Sequence, residues 1–232
     1  MYSIRNAHFG FKQRANKIDG LRNSSFLIPH IDEYIWQGYL IWLETICNEL
    51  ESNQKRRDDI RQLEILNTDL KLIKEKDYYY VELPENYYRY LESTSSIKTT
   101  TCKSKKIKNS VIQKDDRYNE LMFESSYPFE RVNIDISANK IYIYPKDFEA
   151  TEFFLSYIRK PKRPSNPIDF INGKGKYNHP DGTPAIQQDI EVDSTFQVEK
   201  ILDIAALLAL RDVGNVIDFE TQLNKILQIS KI

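Results

Sequence analysis

Apolar and polar positions change period along this chain, and each change marks an element. Residues 131–136 (RVNIDI) alternate polar and apolar at period two, and Ile141, Tyr142, Ile143 and Tyr144 are β-branched or aromatic, the residue types that pack on a pleated sheet. Ser137-Ala138-Asn139 supplies a turn between them, and Pro145 closes the second run because it lacks a ladder donor. Residues 151–159 return as a third aromatic and β-branched run. The pattern predicts a three-strand antiparallel meander over 131–159. Further upstream, 77–81 (DYYYV) reads as a strand and 60–72 as mixed. Pro84 reads as the N1 residue of a short helix over 85–91.

Elsewhere the period is helical. Ile31, Tyr34, Ile35, Tyr39, Trp42, Leu43, Ile46 and Leu50 share one stripe behind Pro29, which sits where the helix could begin with Asp32 and Glu33 in its first turn. Trp36, Leu40 and Ile41 lie off the stripe, so this helix is expected to pack on more than one side. Each tryptophan could contribute about 4–6 kcal/mol by burial. A core helix is the first reading, and a face turned to a neighbouring subunit is the second. Ser194-Thr-Phe-Gln197 matches a capping box and opens a helix with Phe196, Ile201, Leu202, Ala205 and Leu208 on one face. Gly214 would stop it, and a second helix over 217–229 would fold back. A short helix is also expected over 115–125.

Three stretches break the pattern. Residues 1–27 read as an irregular basic arm, with Arg5, Lys12, Arg14, Lys17 and Arg22 against Asp19 alone. Residues 93–114 hold six lysines and no acid; their Thr and Val content suits a long hairpin with a flexible tip, and the lysines are expected on a projecting loop that solvates their charge. Residues 161–190 contain five of the nine prolines and three of the seven glycines, and read as an extended arm. The expected organisation is an arm over 1–27, one α+β domain over 28–160 and 191–232, and the arm over 161–190. The α+β domain would pair a helical bundle with an antiparallel meander.

Composition narrows the function. The net charge is −1, so contact with nucleic acid would need a local patch. Two cysteines, Cys47 and Cys102, make no zinc site and suit a reducing compartment. No apolar run reaches the roughly 20 residues of a membrane span, and the polar N-terminus carries no leader pattern. A soluble product made in the cytoplasm is expected. Seven glycines in 232 residues disfavour phosphate loops, while fifteen tyrosines suit surfaces half buried against a partner. Gly173-Lys174-Gly175-Lys176 lacks the spacing of a phosphate loop, and His179 with Asp181 are too few ligands for a metal. No nucleophile–base, metal or dinucleotide motif stands in the chain, so neither catalysis, a cofactor nor a metal is expected.

The run Phe11-Lys-Gln-Arg-Ala-Asn-Lys-Ile-Asp19, followed by the aromatic helix from Ile31, resembles the N-terminus of structural proteins of crAss-like and related short-tailed bacteriophages. Leu83-Pro84 with Tyr88, the strand end at 157–164 (YIRKPKRP) and the helix over 201–210 are similar in kind and order. The resemblance implies a virion protein: a head–tail connector (adaptor) or tail-barrel subunit, typically in twelve copies, in a ring around the DNA channel. Its implied partners are other copies, the portal, other tail or ring proteins, and genomic DNA bound without sequence preference. The first ring on the portal is preferred to a lower one. On this reading Trp36, Trp42, Arg159, Lys160, Lys162, Arg163, Ile168, Phe170, Ile171 and Tyr177 are the candidate interface. Lys98, Lys103, Lys105, Lys106 and Lys108 are the candidate DNA or partner loop. The arm over 161–190 is expected to order only on a neighbouring chain. The alternatives are a nucleic-acid-binding module using 98–114 and a small cytosolic enzyme.

Overall fold

The computed structural model describes residues 1–18, 26–49, 54–99, 104–112, 132–145, 148–170, 175–192, 194–212 and 219–228. The fold is α+β, and the chain divides into two units: residues 1–62 with 161–232, and the inserted residues 63–160. Helices and sheet therefore form separate units, not the one domain expected from sequence. Ile171, Lys103, Cys102, Gly214 and the helix expected over 115–125 lie outside the described residues.

The first unit is built on α2 (Ile28–Glu49). Its predicted stripe is buried at Ile31, Ile35, Tyr39, Trp42, Leu43 and Ile46, and the off-stripe Trp36, Leu40 and Ile41 are half-buried. Asp32 and Glu33, expected in its first turn, lie a full turn inside its start because the helix begins at Ile28. The partner helix α4 (Thr195–Asp212) is buried almost all round, from Ile201 to Leu210 except for half-buried Asp203. Phe196, expected inward, is 53% exposed. Gln197 departs from its expected capping role, because its side-chain oxygen accepts a bond from Trp42 Nε1 at 2.8 Å and so ties α4 to α2. A short helix, α3 (Gln54–Asp59), follows α2, and α5 (Phe219–Gln228) packs on α4.

The basic arm expected over 1–27 is instead a helix, α1 (Ile4–Ile18), packed on α4. Ile4, Ala7, Phe11 and Ala15 recur every three or four residues and are 0–3% exposed. That is a narrow apolar stripe among basic residues, and composition masked it.

Two glycines set the helix spacing. A Cβ on Gly38 of α2 would stand 2.7 Å from the Ile201 carbonyl oxygen and 3.0 Å from Ala205 N, both backbone atoms of α4. On Gly10 of α1 it would meet a methyl of Leu202 at 2.9 Å. Backbone cannot step aside as a side-chain tip can. Gly38→Ala should therefore destabilise the helical unit by about 1–3 kcal/mol despite alanine's better helix propensity. Both tryptophans are on α2, so urea unfolding followed by their fluorescence reports this unit. An unchanged or higher midpoint would show that α2 and α4 separate without cost.

The second unit is one eight-stranded mixed sheet. Its strands are β1 (Glu64–Leu70), β2 (Ile73–Lys74), β3 (Tyr79–Glu82), β4 (Tyr87–Lys98), β5 (Lys105–Val111), β6 (Val132–Ser137), β7 (Lys140–Ile143) and β8 (Glu149–Arg159). The order is β1-β8-β4-β5-β6-β7-β3-β2, with β5 and β6 parallel. The two edge strands, β1 and β2, are joined by only Lys71 and Leu72, so the sheet must curl until its edges approach. Lys74 of β2 accordingly pairs with Glu149 of β8 at 2.9 Å, although five strands separate them in the order. The curl encloses one core, including Val81, Ile97, Ile107, Ile134, Ile141, Phe153 and Leu155.

The expected meander holds only in part. β6 and β7 pair antiparallel, Ile134 opposite Ile143, across the Ala138–Asn139 turn. The third strand, β8, pairs with β1 and β4 instead, because β3 already occupies the other edge of β7. The helix expected over 85–91 is the start of β4. Tyr87 and Tyr90 there pack against the core, a use of aromatic residues that suits a strand as well as a helix.

Candidate interaction surfaces

In the helical unit the extended segment over 161–190 packs on its own chain. Pro161, Pro164, Ser165, Asn166 and Pro167 are buried. This corrects the expectation of an arm that orders only on a neighbour. The hold is polar and converges on Asp32, which is wholly buried. His8 Nε2 lies 2.5 Å from Asp32 Oδ1, Asn166 N donates to Oδ2 at 2.9 Å, and the Tyr177 hydroxyl donates to the same oxygen. Burial, and then the bond to Asp32, push the Tyr177 phenol well up from its ordinary range. Burial and then nearby Arg163 hold His179 below the usual histidine range. The segment also serves α1: Asp189 Oδ1 accepts from Ile4 N at 2.9 Å, and Tyr2 and Ile190 exchange backbone bonds at 3.0 Å. A side chain 185 residues away thus satisfies a first-turn donor of that helix. The cluster works as a lock. Both Asp32 oxygens are engaged, and among the described residues no group of three His, Cys, Asp or Glu could hold a metal.

The candidate interface residues separate accordingly. Trp42 is core, and Trp36 is half-buried with the Arg163 guanidinium 5.9 Å from its ring centre. Arg163 turns inward to Glu33 and also pairs with Asp181 at 3.1 Å. Phe170 stands edge-on to Tyr177 at 5.6 Å. Lys160 and Lys162 are exposed and Arg159 is half-buried. Ile168 is 61% exposed, and so is Ile186 at 73%, which leaves apolar surface on the segment.

In the sheet unit, β4 and β5 form the expected hairpin, but Lys98, Lys105, Lys106 and Lys108 lie in its strands, where β5 pairs with β4 and β6, and not on a projecting loop. Ile97 and Ile107 point to the core, so Lys98, Lys106 and Lys108 share the opposite, exposed face, while Lys105 is half-buried. The segment holds no acid in sequence, but the sheet supplies some. Lys108 pairs with Glu92 at 3.1 Å, and Glu149 and Glu152 of β8 lie across from Lys98 and Ser96. Lys106 Nζ sits 4.2 Å from the Phe154 ring centre.

Sequence reading missed the most extensive aromatic cluster among the described residues. Tyr78 and Tyr80, with Tyr142 and Tyr144, stand on the outer face of β3 and β7, opposite the buried Tyr79, Val81, Ile141 and Ile143. All four are half-buried. Ring centres are 5.7 Å apart for Tyr78 and Tyr142, 6.3 Å for Tyr80 and Tyr142, and 6.5 Å for Tyr142 and Tyr144. Lys140 Nζ lies 4.0 Å from the Tyr80 ring centre. Glu82 lies opposite Lys140 on this face, and Glu75, whose amide donates to the Tyr78 carbonyl at 2.9 Å, borders it. The signal was legible: tyrosines at i and i+2 in DYYYV and in IYIY fall on the face that the aliphatic residues leave. Pairing of the two runs was not. A scan of protein-family models and a search of curated proteins find no match for this chain.

Proposed function

We propose that this chain is a virion structural protein, a ring subunit that connects the portal to the tail of a tailed bacteriophage and lines its DNA conduit. The observation that carries the interaction role is the tyrosine platform on β3 and β7. Half-buried tyrosines give a rigid amphipathic surface that gains by further burial against a partner, the composition of interface centres. Exposed Ile168, Ile186 and Phe196 add apolar surface on the helical unit. The resemblance stated above supplies the setting, with the portal and neighbouring tail proteins as partners and DNA in the channel.

The mechanism is geometric. Subunits joined head to tail close into a ring when the rotation per step divides the circle. Native mass spectrometry of the purified protein, alone and with a portal complex, tests it. A closed species of single copy number, or a portal-bound one, is the expected result. A single-chain mass in both samples, with salt-sensitive DNA binding, would support a nucleic-acid module instead. Turnover abolished by one side-chain change would show an enzyme.

A further inference from the structure

We propose that the small hairpin over 177–185 is an acid-opened latch: neutral His179 keeps it seated on α2, and a proton on His179 releases it while the helical unit stays folded. The latch is a property of the single chain, whatever that chain assembles into.

The hairpin is closed on itself. Ala185 N donates to the Tyr177 carbonyl at 3.0 Å, His179 N to the Thr183 carbonyl at 2.8 Å, and Gly182 N to the His179 carbonyl at 2.9 Å. Asp181 Oδ1 accepts from Thr183 N at 2.9 Å and from the Thr183 hydroxyl at 2.6 Å. Gly182 takes the left-handed φ of +83° that the turn requires. The chain just beyond is fixed, because Ser165 and Gln188 exchange two backbone bonds at 3.0 Å. A piece closed on itself beside such a staple can lift without unravelling its surroundings.

Two polar contacts seat it. The Tyr177 hydroxyl donates to Asp32, and Arg163 bridges Glu33 of α2 and Asp181, the latter at 3.1 Å. His179 is 8% exposed and stands edge-on to the Tyr177 ring, 5.6 Å between centres. The charged groups that face it are Arg163 and Asp181 from the segment and Asp32 and Glu33 from α2. From α1, His8 reaches Asp32 Oδ1, and Arg5 pairs with Asp169 at 2.9 Å.

A proton on His179 would find these carboxylates already engaged. Asp32 is shared by His8, Asn166 and Tyr177, while Glu33 and Asp181 are held by Arg163. Protonation would instead put a second cation near the Arg163 guanidinium in a largely buried place, so burial and then Arg163 hold this histidine low. The released ring takes its proton more readily than the seated one. The closed form is therefore fully favoured above about pH 6.5 and loses ground below it, by at most about tenfold per pH unit, until the seated ring is itself protonated. Bonds from Thr183 hold the Asp181 carboxyl below the ordinary carboxylate range, so the trigger is His179 and not loss of the Arg163–Asp181 pair.

Amide hydrogen exchange on the full chain, corrected for the intrinsic pH dependence of exchange, tests this together with ring titration of the three histidines by NMR. Between about pH 7.5 and 5.5, protection of the Gly182 and Ala185 amides should fall at least about fivefold, while amides of α2 and α4 keep theirs. The fall should track the His179 ring, with a midpoint below about 6.5. His179→Gln should remove the pH dependence. If protection of the hairpin does not change with pH, if the change survives His179→Gln, or if it tracks the ring of His8 or His30, the latch is wrong. Loss of protection in α2 and α4 along with the hairpin would show acid unfolding of the unit and overturn it as well. If His179→Gln is unprotected at both pH values, the ring of the unaltered protein decides. A midpoint at or above about 6.5 overturns the latch, and a lower one shared with the hairpin amides upholds it.

Discussion

Replacing Asp32 with alanine should cost the helical unit about 3–5 kcal/mol, most of the stability of a small domain. The carboxylate is wholly buried and is shared by His8, the Asn166 amide and the Tyr177 hydroxyl. Removing it leaves three polar groups without their acceptor, each at about 1–3 kcal/mol. Asp32→Asn keeps the shape but turns an amide donor toward groups that donate, so it should be costly as well. The check is urea unfolding followed by tryptophan fluorescence. A loss below about 1 kcal/mol for Asp32→Ala would show that the unit does not depend on this cluster.

Deleting residues 166–184 should do more, and abolish the cooperative tryptophan transition. The deletion removes the Asn166 and Tyr177 donors to Asp32 and the buried Pro167 and His179. It also alters the spacing between Ser165 and Gln188, which exchange two backbone bonds at 3.0 Å. Lost packing and an orphaned carboxylate together exceed about 5 kcal/mol, the lower end of native stability. Helical circular dichroism and solubility provide the readout. A soluble, folded chain with a normal transition that no longer joins its assembly would restore the segment to the role of an intersubunit arm. That outcome would also overturn the lock described here.

Sequence period alone determined the α2 stripe, the α4 core and the β6–β7 pair. In each, neighbours a few residues apart share a face, so local spacing carries the information. The exposure of Lys98, Lys106 and Lys108 was equally legible, since a run of lysines with no acid in sequence resists burial. Helix α1 shows where composition misleads: five basic residues over 1–27 obscured four apolar ones at helical spacing.

Tertiary structure alone decided three things. It set the neighbours of β8, because β3 competes for the free edge of β7 and wins it through Tyr79–Ile143 and Val81–Ile141 pairs. It placed Glu92 beside Lys108, in a segment that looks purely basic when read along the chain. Above all, it turned the proline-rich segment inward. Prolines make a chain stiff and deny it regular pairing, but they do not say against what it lies. That was decided by Asp32 and His8, 134 residues or more before Asn166, because a buried carboxylate must find donors wherever the fold can bring them.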